Sequence, residues 1–193
     1  GSFADKALYV SQNGGRRFTR ALVLPSISIA QYPYTVQVRP SSIAADPIDP
    51  DRIWLGTTSG AVLQSANGGG DWATVHPGGA FTLPWSRLIV APWGTGDVYG
   101  VGSGFPDAYA SMFVRKRATD PDFVPGPPAF DVVARAGHPG ELLLVGPGGA
   151  ARSTDAGVTW TPAGGLPAMA PGCCSALIVA SPSDDARLYV VVR

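Results

Sequence analysis

The chain has 193 residues, enough to bury a substantial core, and its 14 basic and 14 acidic residues give a formal net charge of +0 at pH 7. This balance, scattered along the chain, excludes the electrostatic footprint expected of a protein that binds nucleic acid or an anionic membrane surface. No apolar run approaches the roughly 18 residues that a membrane-spanning helix requires, so we expect no membrane insertion. Twenty-five Gly and 19 Pro break the apolar runs into short pieces, which predicts an all-β protein with many short strands.

At the N-terminus, Gly1 and Ser2 resemble the remnant of a cleaved tag, and we expect one domain over residues 3–193. The first residues show neither the charged segment nor the apolar segment of a signal peptide, which a mature exported protein would already have lost. An extracellular, cell-surface or periplasmic location is therefore compatible with this N-terminus.

The first predicted strand, Ala7 to Ser11, leads into a turn with the pattern Ser-x-Asp/Asn-x-Gly-x-x-aromatic. A short Asp or Asn side chain accepts backbone hydrogen bonds in a tight turn, and glycine takes a positive φ there without steric cost. The aromatic residue packs back onto the sheet, so the motif predicts a clamped hairpin. Its three copies contain Ser11, Asn13, Gly15 and Phe18; Ser65, Asn67, Gly69 and Trp72; and Ser153, Asp155, Gly157 and Trp160.

A second repeat consists of two strands joined by a turn rich in Pro and Asp. It runs from Ile43 to Leu55 and returns from Ile178 to Val190, a shift of 135 residues. This shift equals three periods of about 45 residues, and related segments at 88–99 and 132–145 supply the intermediate copies. A fixed period of this length indicates a propeller or a solenoid.

Together the two repeats predict a β-propeller of about four four-stranded blades. The blades lie near 41–80, 85–127 and 130–165, and the last one is formed by 175–193 completed by 3–25. The chain begins with a strand that enters a turn motif and ends with a strand pair that lacks one. We expect the first and last strands to share this blade, which would close the ring and remove exposed sheet edges.

The three turn motifs resemble the Asp-box, or BNR, repeat of sialidase-like and sortilin-like β-propellers. This resemblance is in phase with the strand-pair repeat and covers nearly the whole chain. It implies that the motif residues are structural and lie at the rim of each blade, away from the usual ligand face. The third unit departs from the pattern, because residues 112–123 keep a closing aromatic, Phe123, but lack the serine and the glycine. We expect an altered outer turn in that blade.

Loops that converge at the central channel usually carry the ligand sites of propellers, and the longest such insertion here spans residues 26–40. Aromatic and arginine side chains in such loops suit stacking and hydrogen bonding with a sugar or a peptide. The candidate ligand-binding residues are Tyr32, Tyr34 and Arg39 in this insertion, and Trp85, Arg87 and Trp93 one repeat later. A second interpretation stays open, in which these large side chains fill the centre of the propeller.

The resemblance also implies what a catalytic member would need. Sialidase-like enzymes use three arginines, a tyrosine activated by a glutamate, and an acidic aspartate. Glu141, the only glutamate, is expected to be a solvated turn residue, and Val38-Arg39-Pro40 is only a faint echo of the family's Arg-Ile-Pro signature. We therefore name no catalytic residue. Arginines are present at Arg39, Arg87, Arg135 and Arg152.

The histidines and cysteines offer little chemistry. His76 and His138 each precede a proline and are interpreted as turn residues, since such a histidine needs no ligand to explain it. The adjacent Cys173 and Cys174 either form a strained vicinal disulfide or, as we expect for a loop before a strand, are two small buried thiols. No other cysteine accompanies them, so we expect no metal site and no cofactor.

These observations favour a non-catalytic binding propeller outside the cell, on its surface or in the periplasm, with a protein or glycan as ligand. A glycoside hydrolase of the sialidase-like kind, or its accessory domain, is the first alternative. A structural scaffold module is the second. A second copy of the chain, or further blades in a longer chain, are additional ways in which the ring could be completed.

Overall fold

The computed structural model describes residues 7–23, 26–28, 35–78, 84–103, 111–169, 175–184 and 186–192. Within these ranges all regular structure is β-strand, and no helix is long and apolar enough to cross a membrane. The strands are β1 (Ala7–Val10), β2 (Thr19–Val23), β3 (Ser26–Ser28), β4 (Thr35–Gln37), β5 (Pro40–Ala45), β6 (Ile53–Thr57), β7 (Val62–Ser65), β8 (Ala73–His76), β9 (Trp85–Val90), β10 (Val98–Ser103), β11 (Ser111–Lys116), β12 (Val124–Pro128), β13 (Asp131–Ala134), β14 (Leu142–Gly146), β15 (Gly149–Ser153), β16 (Thr161–Ala163), β17 (Ala176–Ala180) and β18 (Leu188–Val192).

Three antiparallel four-stranded sheets form the body of the molecule. Blade 1 contains β5–β8, blade 2 contains β9–β12 and blade 3 contains β13–β16. Each blade is a meander in which strands that follow each other in sequence are paired. The first strands contact one another from blade to blade, β5 with β9, β9 with β13, and β13 with β17. This architecture confirms the predicted all-β propeller fold.

The apolar core lies between the blades, because each blade packs one face against its neighbour. Between blades 2 and 3, Tyr99, Phe113 and Leu142 are fully buried, and the rings of Tyr99 and Phe113 lie 6.0 Å apart. Between blades 1 and 2, Trp85 packs with Val62. Burying one large apolar side chain contributes roughly 1.5–3 kcal/mol. The stacking of blades is therefore a main source of stability.

The three Ser-x-Asn/Asp turns form the same set of hydrogen bonds. In blade 3, Ser153 Oγ donates to Asp155 Oδ1 (2.7 Å) and accepts from Gly157 N (2.9 Å), while Thr159 N donates to Asp155 Oδ1 (2.9 Å). The other two turns repeat this pattern. Gly157 has a φ of 81°, a region that a side chain would disfavour. These side chains clamp their hairpins.

Asp155→Asn is expected to remove an acid-dependent part of the stability while preserving the turn. Hydrogen bonds from Thr159 lower the pKa of Asp155 from 3.8 to about 2. The stabilisation is therefore complete above pH 3.8 and is lost as the pH falls through about 2. Urea unfolding followed by circular dichroism at several pH values measures this effect. Asp155→Ala should lose about 1–2 kcal/mol at neutral pH, because the turn amides lose their acceptor. Identical acid sensitivity in the wild type and the Asn variant would contradict the assignment.

Blade 2 has the altered outer turn that the sequence predicts. The carboxylate of Asp120 accepts from Arg117 N (3.0 Å), and its main-chain carbonyl accepts from Lys116 Nζ (2.7 Å). Phe123 keeps the role of the closing aromatic, because its ring packs 5.1 Å from that of Trp85. An ion-paired turn thus replaces the serine and glycine of the other hairpins.

The first and last strands do not share a blade in the single chain, which corrects the predicted closure. Among the described residues, β1 pairs only with β2 and β17 pairs only with β18, in two separate sheets. The β1–β2 hairpin lies beside blade 1, where Val10 neighbours Gly69 and Leu22 packs with Leu55. Strand β17 instead packs on blade 3 through Ile178. Each half-blade thus packs on the blade adjacent to it in sequence, and the two halves belong to separate sheets.

Candidate functional site

Polar side chains tie the inner strands β5, β9, β13 and β17 together. Ser42 Oγ accepts a hydrogen bond from Leu88 N (2.8 Å), and Asp131 Oδ2 accepts one from Ile178 N (2.9 Å). Each bond crosses from the first strand of one sheet to the first strand of the next. Burying such polar groups is tolerated because they are paired. The centre of the molecule therefore carries fixed polar groups as well as apolar packing.

Arg87 and Asp131 form an ion pair at this centre. Asp131 is 1% exposed, its Oδ1 accepts from Val132 N (2.9 Å), and Arg87 Nε lies 3.3 Å from the same oxygen. Burial raises the pKa of Asp131, while hydrogen bonds from Ile178 and Val132 and the charge of Arg87 oppose this rise. The side chain of Arg87 is 36% exposed. The side chain of Arg87 is thus partly accessible to solvent, whereas the carboxylate of Asp131 is buried.

The position of Asp131 in the repeat could have identified it from the sequence. Ser42, Arg87 and Asp131 each stand directly before the first residue of a strand-pair repeat. In the structure, each of the three reaches the inner strand of the following sheet. A polar residue at this repeat position is therefore a link between blades.

A cleft of about 310 Å³ opens where β13 and β17 end. Its walls are residues 133–136, which include Arg135, residues 179–182, and Arg87. Val179 adds an apolar side chain that is 50% exposed. The cleft thus combines positive charge with an aliphatic wall.

Glu141 corrects a prediction, because it is not a solvated turn residue. It is 4% exposed and accepts hydrogen bonds from Arg135 Nη1 (2.6 Å) and Arg152 Nη2 (2.7 Å). Although burial opposes ionisation, the bonds from Arg152 and Arg135 lower the pKa of Glu141. The sequence could not show this, since Arg152 comes from a strand that only the folded sheet brings alongside. Glu141 is an ionised link between two strands.

The predicted ligand-binding residues within the described ranges do not form one surface. Arg39 is exposed just before β5, where its main chain exchanges hydrogen bonds with Thr58. Trp85 begins β9 but is 4% exposed, and its indole N–H donates to Gly60 O (2.8 Å). Trp93 lies beyond the opposite end of β9. Trp85 therefore belongs to the core, as the alternative interpretation proposed, and only Arg87 reaches the cleft.

Several predicted residues lie outside the described residues, namely Tyr32, Tyr34, Cys173 and Cys174. The insertion that carries the two tyrosines contains the short hairpin β3–β4. Their predicted roles stay predictions.

The histidines are both in polar contacts. His76 ends strand β8, which corrects its interpretation as a turn residue, and its Nδ1 lies 2.8 Å from Asp122 Oδ1. This contact joins blade 1 to the outer hairpin of blade 2. His138 does lie in the β13–β14 turn, where its Nε2 is 3.0 Å from Arg135 Nη2.

Comparisons with known proteins identify the fold and no family. No protein-family model matches the sequence, and neither does any curated protein. The GH74 enzyme of Niastella koreensis is similar in structure, with a TM-score of 0.57 and 16% identity over 80% of this chain and 26% of that one. An ancestral GH74 enzyme aligns with a TM-score of 0.51 and 16% identity, over 66% of this chain and 18% of that one.

A third similar structure is YCF48 bound to D1 peptide. It aligns with a TM-score of 0.50 and 10% identity, over 96% of this chain and 60% of that one. The chain spans less than two thirds of each of these three proteins. At such identities the likeness shows a shared propeller fold alone.

Proposed function

We propose that this chain is a polypeptide-binding propeller module whose cleft accepts an acidic group of a partner protein. The observation that carries this proposal is the partly exposed side chain of Arg87 in the wall of a cleft between two inner strands. A guanidinium presents several N–H donors in a planar fork that matches a carboxylate. An acidic side chain or a C-terminal carboxylate is therefore the ligand group that fits.

The charge balance around the cleft supports an anionic ligand. Arg87 and Arg135 line the cleft, whereas their ion-pair partners Asp131 and Glu141 do not. Both carboxylates are buried, whereas Arg87 is more than a third exposed. A ligand in the cleft would therefore meet a positive surface.

The strand edges favour a polypeptide over a glycan. Among the described residues, β13 and β17 are terminal strands of their sheets, so each has one edge without a strand partner, although Val132 N and Ile178 N already donate to Asp131. Such an edge presents main-chain N–H and C=O groups to which an extended peptide can add. YCF48 bound to D1 peptide is a precedent for a peptide on a propeller fold. We also propose, from the resemblance of its turns to Asp-boxes, that the protein acts outside the cytoplasm.

Arg87→Ala is expected to weaken binding of an acidic peptide by roughly 10- to 100-fold, the effect of losing a charged hydrogen bond. The assay is fluorescence anisotropy with a labelled peptide that alternates Asp and Val, compared with the same peptide carrying Asn. Binding of the acidic peptide should also weaken as salt is added.

Arg52→Ala is the matched control. Arg52 is 38% exposed and pairs with a buried aspartate, Asp46, but lies in the β5–β6 turn outside the cleft. Equal losses in both variants, or equal binding of the Asp and Asn peptides, would overturn the proposed site. Binding on a glycan array without any peptide binding would favour the glycan alternative.

A further inference from the structure

The last sheet exposes an apolar face that no described residue covers. Leu177 and Val179 on β17 and Tyr189 and Val191 on β18 are 45–54% exposed. Their alternate neighbours, including Ile178, pack on blade 3. In blades 1 and 2 the corresponding face of the sheet is covered by the blade that follows. Among the described residues, no blade follows the β17–β18 sheet, which we call the C-terminal half-blade.

The β1–β2 hairpin, the N-terminal half-blade, has the complementary deficiency. In complete blades the closing aromatic of the Ser-x-Asn/Asp turn packs toward the preceding sheet: Trp160 contacts Phe113 of blade 2 (5.0 Å), and Trp72 joins a cluster with Leu22. The equivalent Phe18 is 60% exposed, and Tyr9 on β1 is 50% exposed. Within the part of the chain that the structure describes, no blade precedes the N-terminal half-blade.

The free strand edges are complementary as well. In every complete blade the second strand pairs with the third, as β6 does with β7 and β14 with β15. By its position in the repeat, β18 corresponds to the second strand of a blade, and no described strand takes the place of the third. Strand β1 enters a turn motif, as β7 and β15 do, and is a third strand without a second. One edge therefore provides the partner that the other lacks.

Blade 1 specifies the register in which these edges would join. There Ile53 pairs with Ser65 and Leu55 with Leu63. The repeat places Leu188 and Val190 at the positions of Ile53 and Leu55, and Ser11 and Tyr9 at those of Ser65 and Leu63. If β18 paired with β1 in this register, Leu188 would lie opposite Ser11, and Val190 opposite Tyr9.

A turn contact repeats this relation. Gly68 N donates to Asp51 O (2.9 Å) in blade 1, and Ala156 N donates to Gly140 O (2.9 Å) in blade 3. In a blade that joins β18 to β1, the equivalent hydrogen bond would run from Gly14 N to Ala186 O.

We propose that a second copy of this chain completes the blade, with β18 of each copy paired to β1 of the other. Within one chain the two half-blades pack on blades 3 and 1 respectively and remain unpaired. Pairing between copies keeps both of these packings. Two such junctions, related by a two-fold axis, close a ring of roughly eight blades, within the usual size range of propellers.

Pairing of β18 with β1 would cover the exposed apolar side chains of both half-blades at once. Val10 faces blade 1 of its own copy, so its neighbour in sequence, Tyr9, points toward blade 3 of the other copy. Tyr189 and Val191 lie on the opposite face of the sheet and would point toward β5 of the other copy. Ile43 on that strand is 52% exposed. The proposal concerns strand edges, and it stands whether or not the cleft binds a peptide.

Mixed cysteine variants test the pairing directly, in a background of Cys173→Ser and Cys174→Ser. One preparation carries Val190→Cys and the other carries Tyr9→Cys. After mixing and mild oxidation, we expect a disulfide-linked pair on a non-reducing gel and a dimer mass by light scattering. Val191→Cys mixed with Tyr9→Cys is the register control and should cross-link at least several-fold less, because these side chains point to opposite faces.

A second variant keeps the test independent of the cysteines. Val191→Lys places a charge on the exposed apolar face and should shift the mass from dimer to monomer without loss of the circular dichroism spectrum. A monomer of the unmodified chain would overturn the proposal. An intrachain cross-link in a monomer that carries both Val190→Cys and Tyr9→Cys would also overturn it, in favour of closure within one chain.

Discussion

Trp85→Ala is expected to lower the free energy of unfolding by about 3–5 kcal/mol, the usual cost of removing a buried tryptophan. Trp85 is 4% exposed and lies in the cluster between blades 1 and 2. An added Cβ at Gly56 would lie 2.7 Å from the Trp85 side chain, which shows how closely strand β6 approaches the ring. The indole also donates a hydrogen bond to Gly60 O (2.8 Å), which the alanine variant would leave unpaired. Urea unfolding at neutral pH measures the change.

Two variants separate the contributions of Trp85. Trp85→Phe keeps a ring against Phe123 but loses the hydrogen bond and part of the volume, so it should cost less than the alanine variant. Ile48→Ala removes an apolar side chain that is 64% exposed and should change stability by less than about 0.5 kcal/mol. A cost for Trp85→Ala as small as that for Ile48→Ala would show that the interface between blades 1 and 2 does not depend on this ring.

Glu141→Ala is expected to cost about 3–5 kcal/mol, because removing one partner of a buried ion pair leaves the other charge uncompensated. Glu141 bonds two arginines, and Arg135 has only 14% of its side chain exposed. Arg152→Ala should cost much less, since that side chain is 50% exposed and Glu141 would retain Arg135. Chemical unfolding of the two variants measures the difference.

The stability that Glu141 contributes should depend on pH. Its pKa is lowered below the ordinary 4.5, so the contribution is present above that value and is lost as the pH falls through the lowered pKa. Glu141→Gln should remove this part of the acid dependence. Arg187→Ala, in an exposed pair with Asp184, should change stability by at most about 1 kcal/mol and leave the acid dependence unchanged. The same acid profile for the wild type and Glu141→Gln would contradict the structural role of this carboxylate.

Features that depend on local chemistry could be predicted from the sequence. The Ser-x-Asn/Asp turns could be predicted because each of their hydrogen bonds closes within a few residues, as those from Gly157 and Thr159 do. The strand-pair repeat predicted the blades for a related reason. Strands that follow each other in sequence pair through short turns, so their order in the sheet follows from their order in the chain.

The side chains that blade stacking buries or exposes could be identified only in the folded chain. The sequence predicted that Trp85 binds a ligand, but the packing of blade 2 against blade 1 buries this side chain. The sequence predicted that Glu141 is a solvated turn residue, but strand β15 places Arg152 next to its carboxylate. Spacing along the chain fixes strand order but does not state which faces meet, because that depends on packing between blades. The same reason explains why the repeat showed that β18 and β1 are complementary, while only the folded chain showed that they remain apart.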